Sequence, residues 1–171
     1  MNEEVAASAN NNRKPPQVWM NAIIAGLIGG GVGTAVKSFC EIVSPPRLPF
    51  QASPLGKGIG VISVMLTGHD LPEPLHAPVE NLVHWIFGTA TGVVYALFAE
   101  EFNWVTIGYG AAFGVVFWVG FHEILTPLLG WSGWPNVLSF HEQINELISH
   151  ILYGVVLELT RRVIVKKLRQ A

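Results

Sequence analysis

Charge is scarce in this chain, and cysteine is almost absent. Only 13% of the 171 residues are Asp, Glu, Lys or Arg, and Cys40 is the single cysteine. One thiol excludes an intrachain disulfide and any multi-cysteine metal centre, so Cys40 is expected to pack as a small apolar group. The scarcity of charge is also uneven. No ionisable residue occurs between Pro15 and Val36, only His84 between Asn81 and Ala99, and no charge or imidazole between Phe102 and Phe121. With half of the residues hydrophobic and 18 glycines, the chain lacks the make-up of a soluble domain and has that of an integral membrane protein.

What is present is four apolar stretches of spanning length. Residues at about 1.5 Å of rise each need roughly 20 positions to cross a hydrocarbon core of about 30 Å. An all-α bundle of four transmembrane helices is predicted, at about 18–41, 79–99, 103–125 and 139–164, in one membrane domain spanning 18–165. A flexible tail over 1–17 precedes it and a basic tail over 166–171 follows. The first helix is too long and Gly-rich for a cleaved signal peptide, and it suits an uncleaved anchor. The turn at Glu100–Asn103 is so short that the helices on either side should be antiparallel neighbours. The long loop over 42–78 holds one apolar piece, Ile59 to Leu66, too short to span and expected to be re-entrant or to lie over the bundle mouth. Trp131 and Trp134 suit an interfacial aromatic belt.

The fourth helix has the weakest hydropathy signal, since Glu146 and Glu158 interrupt it. The cations decide in its favour. Arg161, Arg162, Lys166, Lys167 and Arg169 crowd the C-terminus, and only a fourth crossing brings them to the side of Arg13 and Lys14. Both termini are then cytoplasmic, and the basic tail reads as a topology signal, with no nucleic acid as partner.

With that topology the ionisable residues inside the helices gather in the outer half of the bilayer. Lys37 and Glu41 close the first helix, Glu80 and His84 open the second, His122 and Glu123 close the third, and Glu142, Glu146 and His150 open the fourth. Each such group costs about 2.5 to 3.5 kcal/mol at a bilayer centre, so together they mark a site. Helical rise puts His84 and His122 about 5 to 8 Å inside, Glu146 about 10 Å, and His150 near the midplane. Lys37 and Glu41 are expected to pair with each other or with Glu142, and Glu158 to form a structural pair with Arg161 and Arg162 at the cytoplasmic interface. Lines of residues four apart join small residues to these groups: Gly29 and Gly33 lead to Lys37, Gly92 and Gly88 to His84, Gly110 and Gly114 to His122, and Gly154 shares a face with Glu146 and His150. Small residues at that spacing let helices approach closely in lipid.

Val36 to Pro49, with Lys37, Glu41 and the Pro45-Pro46-Arg47 run, together with Glu142, Glu146, His150, Glu158 and Arg161-Arg162, resembles the YagU-like bacterial inner-membrane proteins. His84 and the His122 to Pro127 segment fit the same resemblance. It implies an inner-membrane protein of a family without assigned function, linked to survival in acid, and brings no catalytic residues with it.

Several chemistries suit the cluster. His84, His122, Glu142, Glu146 and His150 form a proton-responsive network, because imidazoles titrate near pH 6.5. Alternatively His84, His122, Glu146 and His150 are ligands of a zinc-like metal, although no short metal motif is present. A purely structural role of the polar groups is a third option. An enzyme built on His122 and Glu123 is disfavoured, because adjacent helical residues diverge by about 100° and no nucleophile motif accompanies them. No cofactor is predicted. The partners are the lipid bilayer and, through glycines not used internally, a further copy in a homo-oligomer.

Reporter fusions after Gln170 and at Gly56 are expected to lie on opposite sides of the membrane. If both report the same compartment, the fourth crossing is lost and with it the gathering of ionisable groups at one end.

Overall fold

A computed structural model describes residues 14–48 and 51–170. Residues 1–13 of the expected tail, Arg13 among them, lie outside the described residues, as does Ala171. Every regular element is helical: α1 (Pro16–Val43), α2 (Pro54–Thr67), α3 (Glu73–Glu101), α4 (Ala111–Phe117) and α5 (Phe140–Gln170). A 3-10 stretch (Asn103–Gly110) leads into α4, which continues through a π-helical segment (Trp118–Leu125) to a last short turn (Thr126–Leu128). Three helical spans, Pro16–Val43, Glu73–Glu101 and Asn103–Leu128, are long and apolar enough to cross a membrane.

The helices overrun the expected limits. α3 starts at Glu73 and takes Pro78 into its second turn, where a missing N–H removes only a bond near the helix end. α5 begins at a capping serine, Ser139, whose Oγ accepts from the Glu142 amide at 3.1 Å, and it runs on through the cations expected to form a tail over 166–171. The loop over 42–78 is largely helical as well. α2 is capped by Ser53 and stopped by Gly68, whose φ of 79° a side chain would resist.

The bundle is built on backbone proximity. α1 presents Gly26 and Gly30 to α3 and Gly29 and Gly33 to α5. A Cβ at Gly26 would lie 2.6 Å from Val93 Cα, and one at Gly29 would lie 2.9 Å from a Leu157 methyl. Gly33 rests on the Tyr153 ring, Gly88 on Thr34, Gly92 on Gly30, Gly110 on Gly154, and Gly114 on the backbone of His150 and Ile151. α5 therefore lies antiparallel along α1, from Glu146 beside Lys37 to Leu157 beside Gly29. α3 and α4 meet differently, through rings: Phe87 and Phe121 are 4.8 Å apart and Tyr95 and Phe113 4.7 Å. The short turn between these two helices does not bring their backbones together as closely as expected.

Gly110 reaches Gly154 because the chain before it turns left-handed, with positive φ at Gly108, Tyr109 and Gly110. Gly108, off the proposed packing line, thus carries a conformational demand of its own. Burial is inverted relative to a soluble bundle. The closed interior holds Ala22, Ala25, Ala96, Tyr95 and Leu157, whereas Leu27, Ile28, Ile86, Val94, Phe98 and Val116 face outward. Such an apolar exterior suits lipid.

At the end carrying both termini, Glu158 is completely buried. It accepts from Tyr95 Oη at 2.9 Å, Arg161 Nε at 2.7 Å and Arg162 Nε at 2.6 Å. Arg161 continues to Glu100 at 3.2 Å, and the Arg162 guanidinium lies 4.8 Å from the Tyr109 ring centre. Glu158 thus forms the expected pair with Arg161 and Arg162 and, through Tyr95, also anchors α5 to α3.

Two stability outcomes are expected from this packing. Gly114→Ala should lower the thermal midpoint in detergent by several degrees, for a cost of about 1–3 kcal/mol, while Gly31→Ala, with nothing within 4 Å of its Cβ position, should leave it unchanged or raise it. Glu158→Gln should cost about 3–5 kcal/mol, since it breaks the buried ion pair with Arg161. Equal midpoints for all three variants and the wild type would remove close approach and ion pairing as the source of stability.

Candidate functional site

The opposite end of the bundle contains the ionisable cluster, and its centre is Glu146. This carboxylate, 3% exposed, receives Lys37 Nζ from α1 at 3.3 Å and Arg47 Nη2 at 2.7 Å. Lys37 also donates to Glu41, one turn further along α1. Arg47 Nε donates to Glu142 at 2.6 Å. The expectation that Lys37 would serve Glu41 or Glu142 is thereby corrected in one part: Lys37 bridges Glu41 and Glu146, and Glu142 belongs to Arg47.

Arg47 is the residue that sequence reasoning missed, having been treated as a loop cation. Pro45 and Pro46 follow α1 immediately and cannot continue it, so the chain turns back over the helix ends and delivers the guanidinium into the cluster. Ser44 Oγ, at 3.0 Å from Asn145 Oδ1, and the Pro45 carbonyl, at 3.1 Å from His141 Nε2, hold this strap to α5. The signal available in the sequence was the Pro-Pro-Arg run itself, placed one turn beyond Glu41.

His122 takes its orientation from both sides. Its Nε2 is 3.1 Å from Arg47 Nη2, and its Nδ1 is 2.8 Å from Glu123 Oε1. A guanidinium can only donate, so Nε2 is the acceptor and the ring proton sits on Nδ1, pointing at Glu123. These neighbours meet within the π-helical segment, and both side chains are buried, at 5% and 7% exposure. Such segments are rare and frequent at functional sites.

His150 lies beside this group. Its Nδ1 donates to the Glu146 carbonyl at 2.7 Å, and its ring centre is 6.3 Å from that of His122. His84 stands apart, with Nε2 3.2 Å from Ser38 Oγ and no hydrogen bond to the others among the described residues. Among the described residues no three His, Cys, Asp or Glu side chains converge as metal ligands. The structure thus brings together Lys37, Glu41, His122, Glu142, Glu146 and His150, and leaves His84 on the far wall.

Between these walls is a cavity of about 570 Å³, bounded by all five helices and the strap, within the usual range of roughly 300–1,000 Å³ for ligand pockets. Lys37, Arg47, Glu146 and His150 form one side of it, Glu80 and His84 another, and Phe87, Phe117 and Phe121 the apolar part. α2 roofs it. Ser53 donates to Glu80, and a Cβ on Gly58 would lie 2.7 Å from the Trp131 ring. Trp131 is therefore a wall of the cavity, while Trp134 remains outside and exposed.

Comparison with curated proteins and with solved structures gives no match. Residues 31–159, which contain the strap, the roof, the π-helical segment and every member of the cluster, match the model of the family described as "Protein of unknown function (DUF1440)", and the chain belongs to that family.

Proposed function

We infer that this chain is a multi-pass bacterial inner-membrane protein in which four helices cross, both termini are cytoplasmic, and the outer cluster responds to protons. The fourth crossing is supported by the course of α5 along α1: a helix antiparallel to a spanning helix over that length occupies the same layer. Its charges are matched at both ends by Lys37 and Arg47 and by Arg161 and Arg162. Lys14 and Arg169 both reach Glu100, so cations from the two termini gather at one end, as a cytoplasmic face requires.

The observation that carries the proton response is the donor pattern at His122. In its neutral form the imidazole accepts from Arg47 and donates to Glu123. A proton on Nε2 would set two cationic donors against each other and end that contact. Glu123 on the same segment stabilises the imidazolium, as does Glu146 of α5, whose Oε1 is 3.7 Å from Nε2. Arg47 and the neighbouring His150 oppose it. Released from His122, Arg47 retains Glu142 and Glu146 but no longer ties the strap to α4, and the roof loses one of its fastenings. Among the described residues, Glu41, Glu80, Glu123, Glu142 and Glu146 face only Lys37 and Arg47 as permanent cations, which leaves the imidazoles to take up the difference. The resemblance to YagU-like proteins points this response toward acid exposure. Binding of a zinc-like ion by His84, His122, Glu146 and His150 is the alternative, and it would require Lys37 and Arg47 to give up Glu146.

Lowering the pH through the imidazole range, near 6.5, is expected to increase hydrogen exchange in the strap over 44–48 in wild type and in His69→Gln, a variant on the exposed α2–α3 connection. His122→Gln, which cannot gain the proton, should abolish the increase. Persistence of the acid response in His122→Gln would refute the assignment, and loss of it on metal removal would favour the alternative.

A further inference from the structure

The cavity holds a carboxylate that the cluster does not use. Lys37 is committed to Glu41 and Glu146, and Arg47 to Glu142 and Glu146. Glu80 lines the same cavity and, among the described residues, has no cation within salt-bridge distance. Its partner is the Ser53 hydroxyl at the start of α2, a neutral donor. A half-buried carboxylate at the edge of a membrane needs a positive partner to offset its desolvation. Nothing else in the described chain supplies one.

The surroundings of Glu80 specify what kind of cation fits. Glu80, His84, Phe87 and Thr91 lie on one face of α3, and all four line the cavity. Phe87 meets Phe121 at 4.8 Å in a tilted contact, Phe121 in turn stacks at 5.6 Å on Phe117, and Trp131 closes the cavity beneath α2. A bare metal ion or its hydration shell has no use for such walls, and Glu80 alone gives it too few ligands. An anion would meet carboxylates whose cations are already taken. Aromatic faces beside a single carboxylate are instead the recognition chemistry of an organic ammonium group, whose apolar envelope packs on the rings while its charge is drawn to their π-faces.

We propose that the outer cavity binds an organic monocation, an alkyl- or arylammonium compound, with Glu80 as counter-ion and Phe87, Phe121 and Trp131 as the aromatic walls. The inference rests on the outward-facing cavity adopted above but not on protonation of His122. The ligand enters past the strap or the α2 roof, and its charge brings the cavity closer to neutrality without any proton uptake.

The test is calorimetric titration of the purified protein in non-ionic detergent at pH 8, with benzyltrimethylammonium as probe. Benzenesulfonate and benzyl alcohol serve as the anionic and uncharged counterparts. The ammonium compound should bind saturably, Glu80→Gln should weaken it at least tenfold, and Phe87→Leu should weaken it several-fold, with neither counterpart binding. Equal binding of either counterpart, the absence of binding by the ammonium compound, or an affinity unchanged in the two variants would overturn the proposal. Should Glu80→Gln fail to fold, Phe87→Leu decides alone. Binding at pH 8 in a protein whose strap shows no acid response would uphold this proposal while removing the protonation reading, and the reverse pattern would do the opposite.

Discussion

The carboxylate of Glu146 is held at once by a lysine from α1 and an arginine from the strap, and most of the upper bundle follows from that three-way contact. A buried carboxylate left with one partner fewer would destabilise the fold by several kcal/mol, roughly the worth of a whole structural ion pair. Lys37 fixes how far α5 can slide along α1. Arg47 fixes where the chain goes after α1, and hence where α2 begins. His122 then finds its acceptor role defined by the same guanidinium. Glu158 performs a comparable task at the other end, where it joins α5 to α3 through Tyr95. The two anchors are twelve residues apart on one helix and leave the middle of α5 to close packing of Tyr153, Gly154 and Leu157 against glycines of the neighbouring helices.

Much of this was legible because a membrane makes charge expensive. Ionisable residues in apolar runs stand out in a sequence, and alternating helix direction collects them without any knowledge of packing. Small residues at fourfold spacing likewise indicate faces, and Gly29, Gly33, Gly88, Gly92, Gly110, Gly114 and Gly154 all lie at helix contacts. The second face of α1, with Gly26 and Gly30, escaped notice because a single line of residues four apart describes only one neighbour. Arg47 escaped because nothing local tells a loop cation that points into a bundle from one that points into water. Glu123 was misjudged for a different reason: a π-helical segment is a tertiary choice that the 3.6-residue periodicity does not reveal, and within it the carboxylate turns to His122.

The seam between α3 and α4 contrasts with the contacts of α1 with α3 and α5 and of α4 with α5. There glycines bring backbones close and leave little room, whereas here phenylalanine and tyrosine rings keep the helices apart. Ring contacts tolerate rotation and small separation better than glycine contacts do, since each ring can turn about its own bonds while a glycine pair has no side chain to adjust. The cavity lies along this compliant seam. Its volume exists because the third and fourth helical elements are spaced by side chains rather than closed by backbone.

α2 carries a further implication. Its outward side shows Val61, Ile62, Val64, Met65 and Leu66 bare, the last two about four-fifths exposed. A helix of 14 residues cannot cross a bilayer, and its bare apolar side is of the kind that suits a headgroup boundary, with the greasy face among acyl chains. The cover of the cavity is then attached to the lipid as firmly as to the protein beneath it. For a helix so placed, thinning the adjoining leaflet, or loading it with short-chain or strongly curved lipids, shifts the level at which α2 floats and pulls on the strap, making the state of the membrane itself a variable that sets how closed the cavity is.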